Sequence, residues 1–343
     1  MHDKPVFLTG ASGFLAKHVL LTLLREGYAV RASVRAESRA DEVRKAVLPH
    51  LPGDAAERLS FVALDLTEDA GWPEAMAGCG ALVHTASPFP ISQPKDADTL
   101  VRPAVEGTGR ALRGARAAGI DRVVLTSSSV SIIQPWRDEN HVFTEKDWSD
   151  EEGLPEQPYA RSKVMAERAA WQIAEAEGLA LTTINPTFIL GPVIDAHYGS
   201  SIGVVRRVLR GRDPMMPRLG FPVVDVRDVA LAHVRALEVP EAAGQRFIAS
   251  AGSLWMTDWG RILKTVYPKR RMPTRAAPMF VLRLLALFDG EIRAVLDSIG
   301  KIERVSSEKA RQVLGIDFID ADKALIAAAE SLSHAAWSSR TRG

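Results

Sequence analysis

Tyr159 and Lys163 stand four positions apart in the run Tyr-Ala-Arg-Ser-Lys, inside a stretch, 158–177, that reads as helix. Positions i and i+4 share one helix face, so a phenol and an ammonium can point into one site. Their unperturbed pKa values are about 10 and about 10.4. A neighbouring ammonium favours phenolate, so the expectation is a lowered Tyr159 pKa and a proton that can pass to a carbonyl oxygen. Such a pair alone more often marks a solvated helix surface. A strand-like run, Val123–Thr126, ends in Ser127-Ser128-Ser129 and changes that weighting. A hydroxyl at the tip of a strand can hold the carbonyl oxygen, with Ser128 the first choice and Ser127 the second. Serines after a strand otherwise serve as loop and cap.

The second constellation is Thr9-Gly10-Ala11-Ser12-Gly13-Phe14-Leu15-Ala16. It closes a strand and opens a helix. Gly10 permits the tight turn, Gly13 lets the backbone approach a pyrophosphate, and Ala16 is small enough for close packing. The helix N-terminus supplies free N–H groups and a positive dipole end. In this context the turn predicts dinucleotide binding. The second strand ends Arg31-Ala32-Ser33-Val34-Arg35, with no acid before Glu37 to hold a ribose 2′-hydroxyl. Arg35 and Arg39 can instead fork a 2′-phosphate, which favours NADP(H) over NAD. Lowering a tyrosine pKa by ~3 units takes about 4 kcal/mol, more than a surface pair supplies. A cationic nicotinamide would have to contribute.

Alternating strands and helices position these groups. Val6–Thr9 is a continuous apolar run, as a strand buried on both faces should be, and Ala29–Val34, Leu59–Leu64, Ala81–His84, Val123–Thr126 and Leu181–Ile184 read as further strands. Helical patterns fall between them: Phe14 to Leu24 closed by Gly27, Asp41–Leu48, Trp72–Met76, Leu100–Ala118 and Pro158–Glu177. That alternation implies a doubly wound parallel sheet, with ligands at its carboxyl edge. After Pro186 proline and glycine become frequent and the pattern loosens. Arg246–Ser250 is expected to return to the sheet. The apolar run Met279–Phe288, broken by Arg283, reads as a buried or substrate-lining helix, too short for the roughly 20 residues of a membrane span. Lys323–Ala336 reads as a terminal helix.

With 46% hydrophobic and 25% charged residues in 343, the chain is neither disordered nor collagen-like. Lys+Arg is 43 and Asp+Glu 42, so no overall excess points to nucleic acid or a membrane surface, although a local patch is compatible with those totals. The single cysteine, Cys79, excludes an internal disulfide and a Cys-based metal centre. His18 and His84 lack metal-ligand spacing and read as structural. No signal peptide is evident at the start, which makes the cytoplasm the expected location.

Together these residues resemble the extended short-chain dehydrogenase/reductases. The resemblance is to the dihydroflavonol-4-reductase-like group and, within it, to the NADPH-dependent aldehyde and ketone (methylglyoxal-type) reductases. It is carried in order by residues 9–18, Ser-Val-Arg (33–35), Asp65-Leu66, His-Thr-Ala-Ser-Pro-Phe (84–89), Leu-Thr-Ser-Ser (125–128), Trp148-Ser149-Asp150, the Tyr159–Lys163 run with Ala166-Glu167, Asn-Pro-Thr (185–187), Gly191-Pro192 and Asp-Val-Arg-Asp-Val-Ala (225–230). It implies a Rossmann-type α/β fold with a smaller, less regular C-terminal substrate-binding region. The expected division is 1–190 with 223–251 for the cofactor, and 191–222 with 252–343 for substrate. It implies Ser128, Tyr159 and Lys163 as catalytic residues, and Gly10, Ser12, Gly13, Phe14 and Leu15 as the pyrophosphate loop. Arg35 and Arg39 match 2′-phosphate contacts, Asp65 and Leu66 adenine contacts, and Thr85, Ala86 and Ser87 a strand end beside the cofactor. Pro186, Ile189 and Ser201, with Ser200 competing for the last role, match positions near the nicotinamide.

Two departures bear on substrate. Ile133 stands where plant flavonoid reductases place an asparagine, and the Asn-Trp-Tyr-Cys-Tyr-Gly-Lys run of cinnamoyl-CoA reductases is absent, Glu156-Gln157-Pro158 preceding Tyr159. Phe89, Ile133 and residues near Val193–Tyr198 are the expected walls of the pocket. The implied reaction is hydride transfer to a small apolar or aromatic aldehyde or ketone, with no nucleic-acid or membrane partner, in a monomer or homodimer. The alternatives are an NAD-dependent nucleotide-sugar epimerase or dehydratase and a non-catalytic NADP-sensing protein.

Overall fold

A computed structural model describes residues 3–87, 98–151, 154 and 157–334. Its strands are β1 (Val6–Thr9), β2 (Val30–Val34), β3 (Leu59–Ala63), β4 (Ala81–His84), β5 (Arg122–Thr126), β6 (Val142–Phe143), β7 (Ala180–Pro186), β8 (Phe188–Leu190), β9 (Gly220–Asp225), β10 (Gln245–Ala249), β11 (Ser253–Trp255) and β12 (Arg304–Val305). The helices are α1 (Phe14–Arg25), α2 (Ser38–Val47), α3 (Trp72–Met76), α4 (Asp98–Ala117), α5 (Pro158–Glu177), α6 (Ser200–Arg210), α7 (Val226–Glu238), α8 (Met256–Val266), α9 (Met279–Leu285), α10 (Gly290–Val295), α11 (Glu308–Leu314) and α12 (Ala321–His334).

Seven strands form one parallel sheet in the order β10-β7-β5-β4-β1-β2-β3. Its inner strands β1 and β4 are buried along their whole length because helices cover both faces. Side chains alternate between those faces. Val6 and Leu8 of β1 pack with Val19, Leu20 and Leu23 of α1 and Val229 of α7, while Phe7 packs with Trp72, Met76, Leu112 and Ala170 on the other side. Arg246–Ser250 returns as anticipated: β10 pairs in parallel with β7 at the sheet edge.

Beyond β7 the chain is more ordered than its prolines and glycines imply. β8, β9 and β11 form a small mixed sheet, and β6 pairs with β12. Ile202, Val205 and Val208 of α6, Trp259 and Leu263 of α8, and Ala324, Leu325 and Ala328 of α12 close a third core against this small sheet. The apolar run at 279–288 departs from expectation. Only Leu282 and Ala286 of it are buried, and Phe280, Leu284, Leu287 and Phe288 face solvent. Apolar composition identified a helix there but carried no information about which face has a partner.

Candidate active site

The order of the sheet reverses at β1, whose neighbours are β4 and β2. Chains leaving the carboxyl ends of β1 and β4 diverge to opposite faces and leave a crevice, where ligands bind in such sheets. Gly10 follows β1 with φ of 70°, and a Cβ on it would lie 3.0 Å from the Ala86 Cα beyond β4. Both the backbone conformation and that close approach require glycine. Gly13 precedes α1 and contributes no side-chain cap, so the first-turn N–H groups face the crevice without a capping side chain. This cradle fits a dinucleotide pyrophosphate.

One cleft of about 520 Å³ runs from Gly10, Gly13, Phe14, Leu15 and Thr85 past Ser128, Tyr159 and Lys163. Ser128 follows β5 in extended conformation, and its Oγ accepts from Val130 N at 3.4 Å, opening a short 3-10 turn over Ser129–Ser131. The Ser128 hydroxyl also hydrogen-bonds the Tyr159 phenol. Lys163, one turn along α5, is buried, with Nζ 6.0 Å from the centroid of the Tyr159 ring. Burial lowers the Lys163 pKa to about 8, opposed by the charge of Glu167. Burial also raises the Tyr159 pKa, with the Ser128 bond pulling the other way. The expected lowering of the phenol pKa by Lys163 is therefore absent: desolvation dominates, and the opposing pull comes from Ser128. Tyr159 rests as a phenol, the form that can give a proton.

Beneath this trio lies a buried polar network that the sequence did not single out. Glu167, four residues beyond Lys163, accepts hydrogen bonds from Ser127, from Ser131 at 2.5 Å, from Asn185 at 2.7 Å and from Arg246 Nε at 2.7 Å. Asn185 Nδ2 also donates to the Ser128 carbonyl at 3.3 Å. The Arg246 guanidinium lies 3.8 Å from the Trp148 ring centroid and donates to the carbonyls of Glu145 and Asp147. One carboxylate thus ties the serine turn, α5, β7 and β10 together. Trp148, Glu167 and Asn185 fall in segments that carry the family resemblance, which assigns them no role of their own. The usable signal was two opposite charges inside apolar runs, because such groups are buried only when paired.

At the other end, the structure brings the predicted cofactor residues to one edge without lining the cleft with all of them. Arg35 lies 3.7 Å from Asp65, and Arg39 pairs with Glu42 at 2.6 Å and reaches His197 at 3.4 Å. Thr67 hydrogen bonds hold the Asp65 carboxyl below its usual range, helped by Arg35. Leu66 packs on α4 at Gly107, where a Cβ would overlap it. Thr85 donates to the Thr9 carbonyl at 2.6 Å and lines the cleft. Ala86 meets Gly10, while Ser12 and Ser87 sit outside the cleft wall. His84 bonds Thr9 at 2.9 Å and His18 the Pro192 carbonyl at 2.9 Å, and burial holds both imidazoles neutral, at pKa values of about 3 and about 4.

At the substrate end Pro186, Ile189, Ile133 and both Ser200 and Ser201 line the cleft. Phe89 lies outside the described residues. Val193–Tyr198 does not form the wall: Val193 is in the third core, Asp195 pairs with the buried Lys17 of α1, and Tyr198 bonds Arg206 at 3.0 Å. The wall is instead Phe188, Leu219, Phe221, Pro222 and Val295, with Ser298, Lys301 and Glu303 among its polar positions. These residues lie on or near β8, β9 and α10, far apart in sequence, so no local pattern reveals them.

The sequence model of the NAD dependent epimerase/dehydratase family matches residues 6–250. Cinnamoyl-CoA reductase 1 of Petunia hybrida is 35% identical over 275 residues, 79% of this chain and 80% of its own length. Ketoreductase azaE of Aspergillus niger is 33% identical over 341 residues, covering 92% and 94% of the two chains. Among solved structures, the yeast methylglyoxal/isovaleraldehyde reductase Gre2, complexed with NADPH, superposes with a TM-score of 0.80 at 26% identity, covering 96% of this chain and 98% of that one. The chain belongs to the NAD dependent epimerase/dehydratase family, as an extended short-chain dehydrogenase/reductase related to these plant and fungal reductases.

Proposed function

We propose that the protein is an NADPH-dependent carbonyl reductase that converts a small apolar or aromatic aldehyde or ketone to the alcohol. The observation that carries the reading is the Ser128–Tyr159 hydrogen bond beside buried Lys163, in the same cleft as the glycine turn. Bound NADPH supplies the hydride. Tyr159 donates its proton to the carbonyl oxygen as that oxygen gains charge, and Ser128 donates a hydrogen bond that orients it. Lys163 supplies the positive charge that compensates the phenolate left behind, and also holds the nicotinamide ribose. Arg35 and Arg39 hold the 2′-phosphate, and the N-terminus of α1 the pyrophosphate.

Phe188, Phe221, Leu219, Ile133 and Val295 make the substrate wall mostly apolar, which favours such a carbonyl over a nucleotide sugar. The relatives include cinnamoyl-CoA reductases, yet this chain lacks their Asn-Trp-Tyr-Cys-Tyr-Gly-Lys run, which argues against a CoA thioester. The reading includes a cytoplasmic monomer or homodimer. Among the described residues no helix is long and apolar enough to cross a membrane.

The test is initial rates of NADPH and NADH oxidation with aliphatic aldehydes, aryl ketones, α-dicarbonyls and a dihydroflavonol. Turnover that prefers NADPH, and that falls by roughly 10²–10⁴-fold in Tyr159→Phe with NADPH binding retained, is expected. Full activity of that variant, or binding without turnover on the whole panel, overturns the reading.

A further inference from the structure

The apolar face of α9 has no role in the reaction. Phe280, Leu284, Leu287 and Phe288 are 74%, 60%, 67% and 86% exposed, and their spacing of four, seven and eight residues puts them on one helical face. Turn bonds continue α9 through Asp289. Contiguous exposed aromatic and aliphatic groups of this kind mark interaction surfaces. None of the four lines the cleft, but the chain then passes through α10 to Val295 and Ser298, which do.

Charge along the segment that leads into this face, between Asp258 and Asp289, is one-sided. Between Trp259 and Phe288 there are seven cations and no carboxylate. Lys264, Lys269, Arg271, Arg275 and Arg283 are exposed and have no carboxylate partner among the described residues. Elsewhere on the surface, Arg39, Arg207 and Arg235 pair with Glu42, Asp213 and Glu238. The basic surface extends further, because Gly211 packs on the Arg271 carbonyl and so brings exposed Arg210 and Arg212 beside this segment.

We infer that α9 and its basic flank dock the protein on an anionic phospholipid surface, with Phe280, Leu284, Leu287 and Phe288 entering the headgroup boundary and the lysines and arginines facing lipid phosphates. A short helix with an apolar face beside a cationic flank is suited to that interface. A second copy fits less well. A ten-residue segment is only about 15 Å long, small beside the roughly 1,200 Å² of a stable interface, and self-pairing opposes one basic flank to another. The net charge of +1 conceals this surface because the acids lie elsewhere.

The test is co-sedimentation of the full-length protein with phosphatidylcholine vesicles, with and without phosphatidylserine, at low and high salt. Binding only to phosphatidylserine vesicles, weakened by salt, is expected. The exposed variants Phe280→Ser with Phe288→Ser, and Arg271→Glu with Arg275→Glu, should each weaken it roughly tenfold or more, with unchanged melting and NADPH turnover in solution. No vesicle binding overturns the inference. Full binding by the serine variant also overturns it, since charge alone would then act. So does a protein dimer that the serine variant dissolves without any vesicle binding, which would identify the partner as a second copy.

Discussion

Tyr159 keeps its proton because the site is dry, and Lys163 is held only weakly as a cation for the same reason. Both shifts come from burial, and they act in opposite directions on charge. A reductase needs the phenol protonated and the ammonium charged. Lys163 carries its charge below about pH 8 and loses it above. kcat/KM for carbonyl reduction should therefore be level at lower pH and fall about tenfold per unit above that point. Lys163→Met should be slow throughout and lack this limb, and an unchanged limb in that variant would assign it to another group. At the cofactor's far end, Arg35 is 81% exposed and near one carboxylate, Asp65. An exposed guanidinium contributes little until a phosphate arrives. A charged hydrogen bond to phosphate is worth about 1.5–3 kcal/mol. Arg35→Ala should therefore raise the KM for NADPH by roughly 10- to 100-fold and leave that for NADH unchanged, as competing titrations of the two cofactors would show.

The elements that hold these groups were legible to different degrees, and the difference is physical. Val6–Thr9 and Ala81–His84 declare themselves because a strand covered on both faces tolerates no polar alternation. The α5 segment declares its chemistry because Tyr159 and Lys163 lie one turn apart on the same helix. What holds that turn in place is nonlocal. Glu167 reaches Ser127 and Ser131 after β5, Asn185 on β7 and Arg246 on β10, and no window of sequence contains those four partners. Removing one member of such a pair leaves a buried charge, at a cost of about 3–5 kcal/mol. Glu167→Ala should lower the urea midpoint accordingly. Glu167→Gln keeps the shape and most hydrogen bonds but removes the negative charge that raises the Lys163 pKa. Its kcat/KM profile should turn down at lower pH than that of the parent protein. A purely structural role would lower stability and leave the profile where it was.

The whole molecule places its chemistry between cores built in different ways. Two cores sandwich the parallel sheet, and their helices follow the strands in order. The third gathers α6, α8, α12 and the small sheet across long stretches of chain, which explains why little of it beyond the terminal helix is legible in the sequence. The cleft wall belongs to this third core: Phe188 stacks on Phe221 at 5.2 Å and lies 5.9 Å from Trp259, which is fully buried. Trp259 thus backs the substrate wall through Phe188. Trp259→Ala should cost about 3–5 kcal/mol, and the loosened wall should raise the KM for the carbonyl. NADPH, which the proposed reading seats on α1 and the carboxyl ends of β1, β2 and β4, should keep its affinity within about twofold, well below the tenfold that 1.4 kcal/mol represents. Calorimetric titration of NADPH beside steady-state kinetics separates the two. Equal losses of cofactor affinity and carbonyl KM would mean that the third core and the sheet respond as a single unit, and that the cleft has no independent wall.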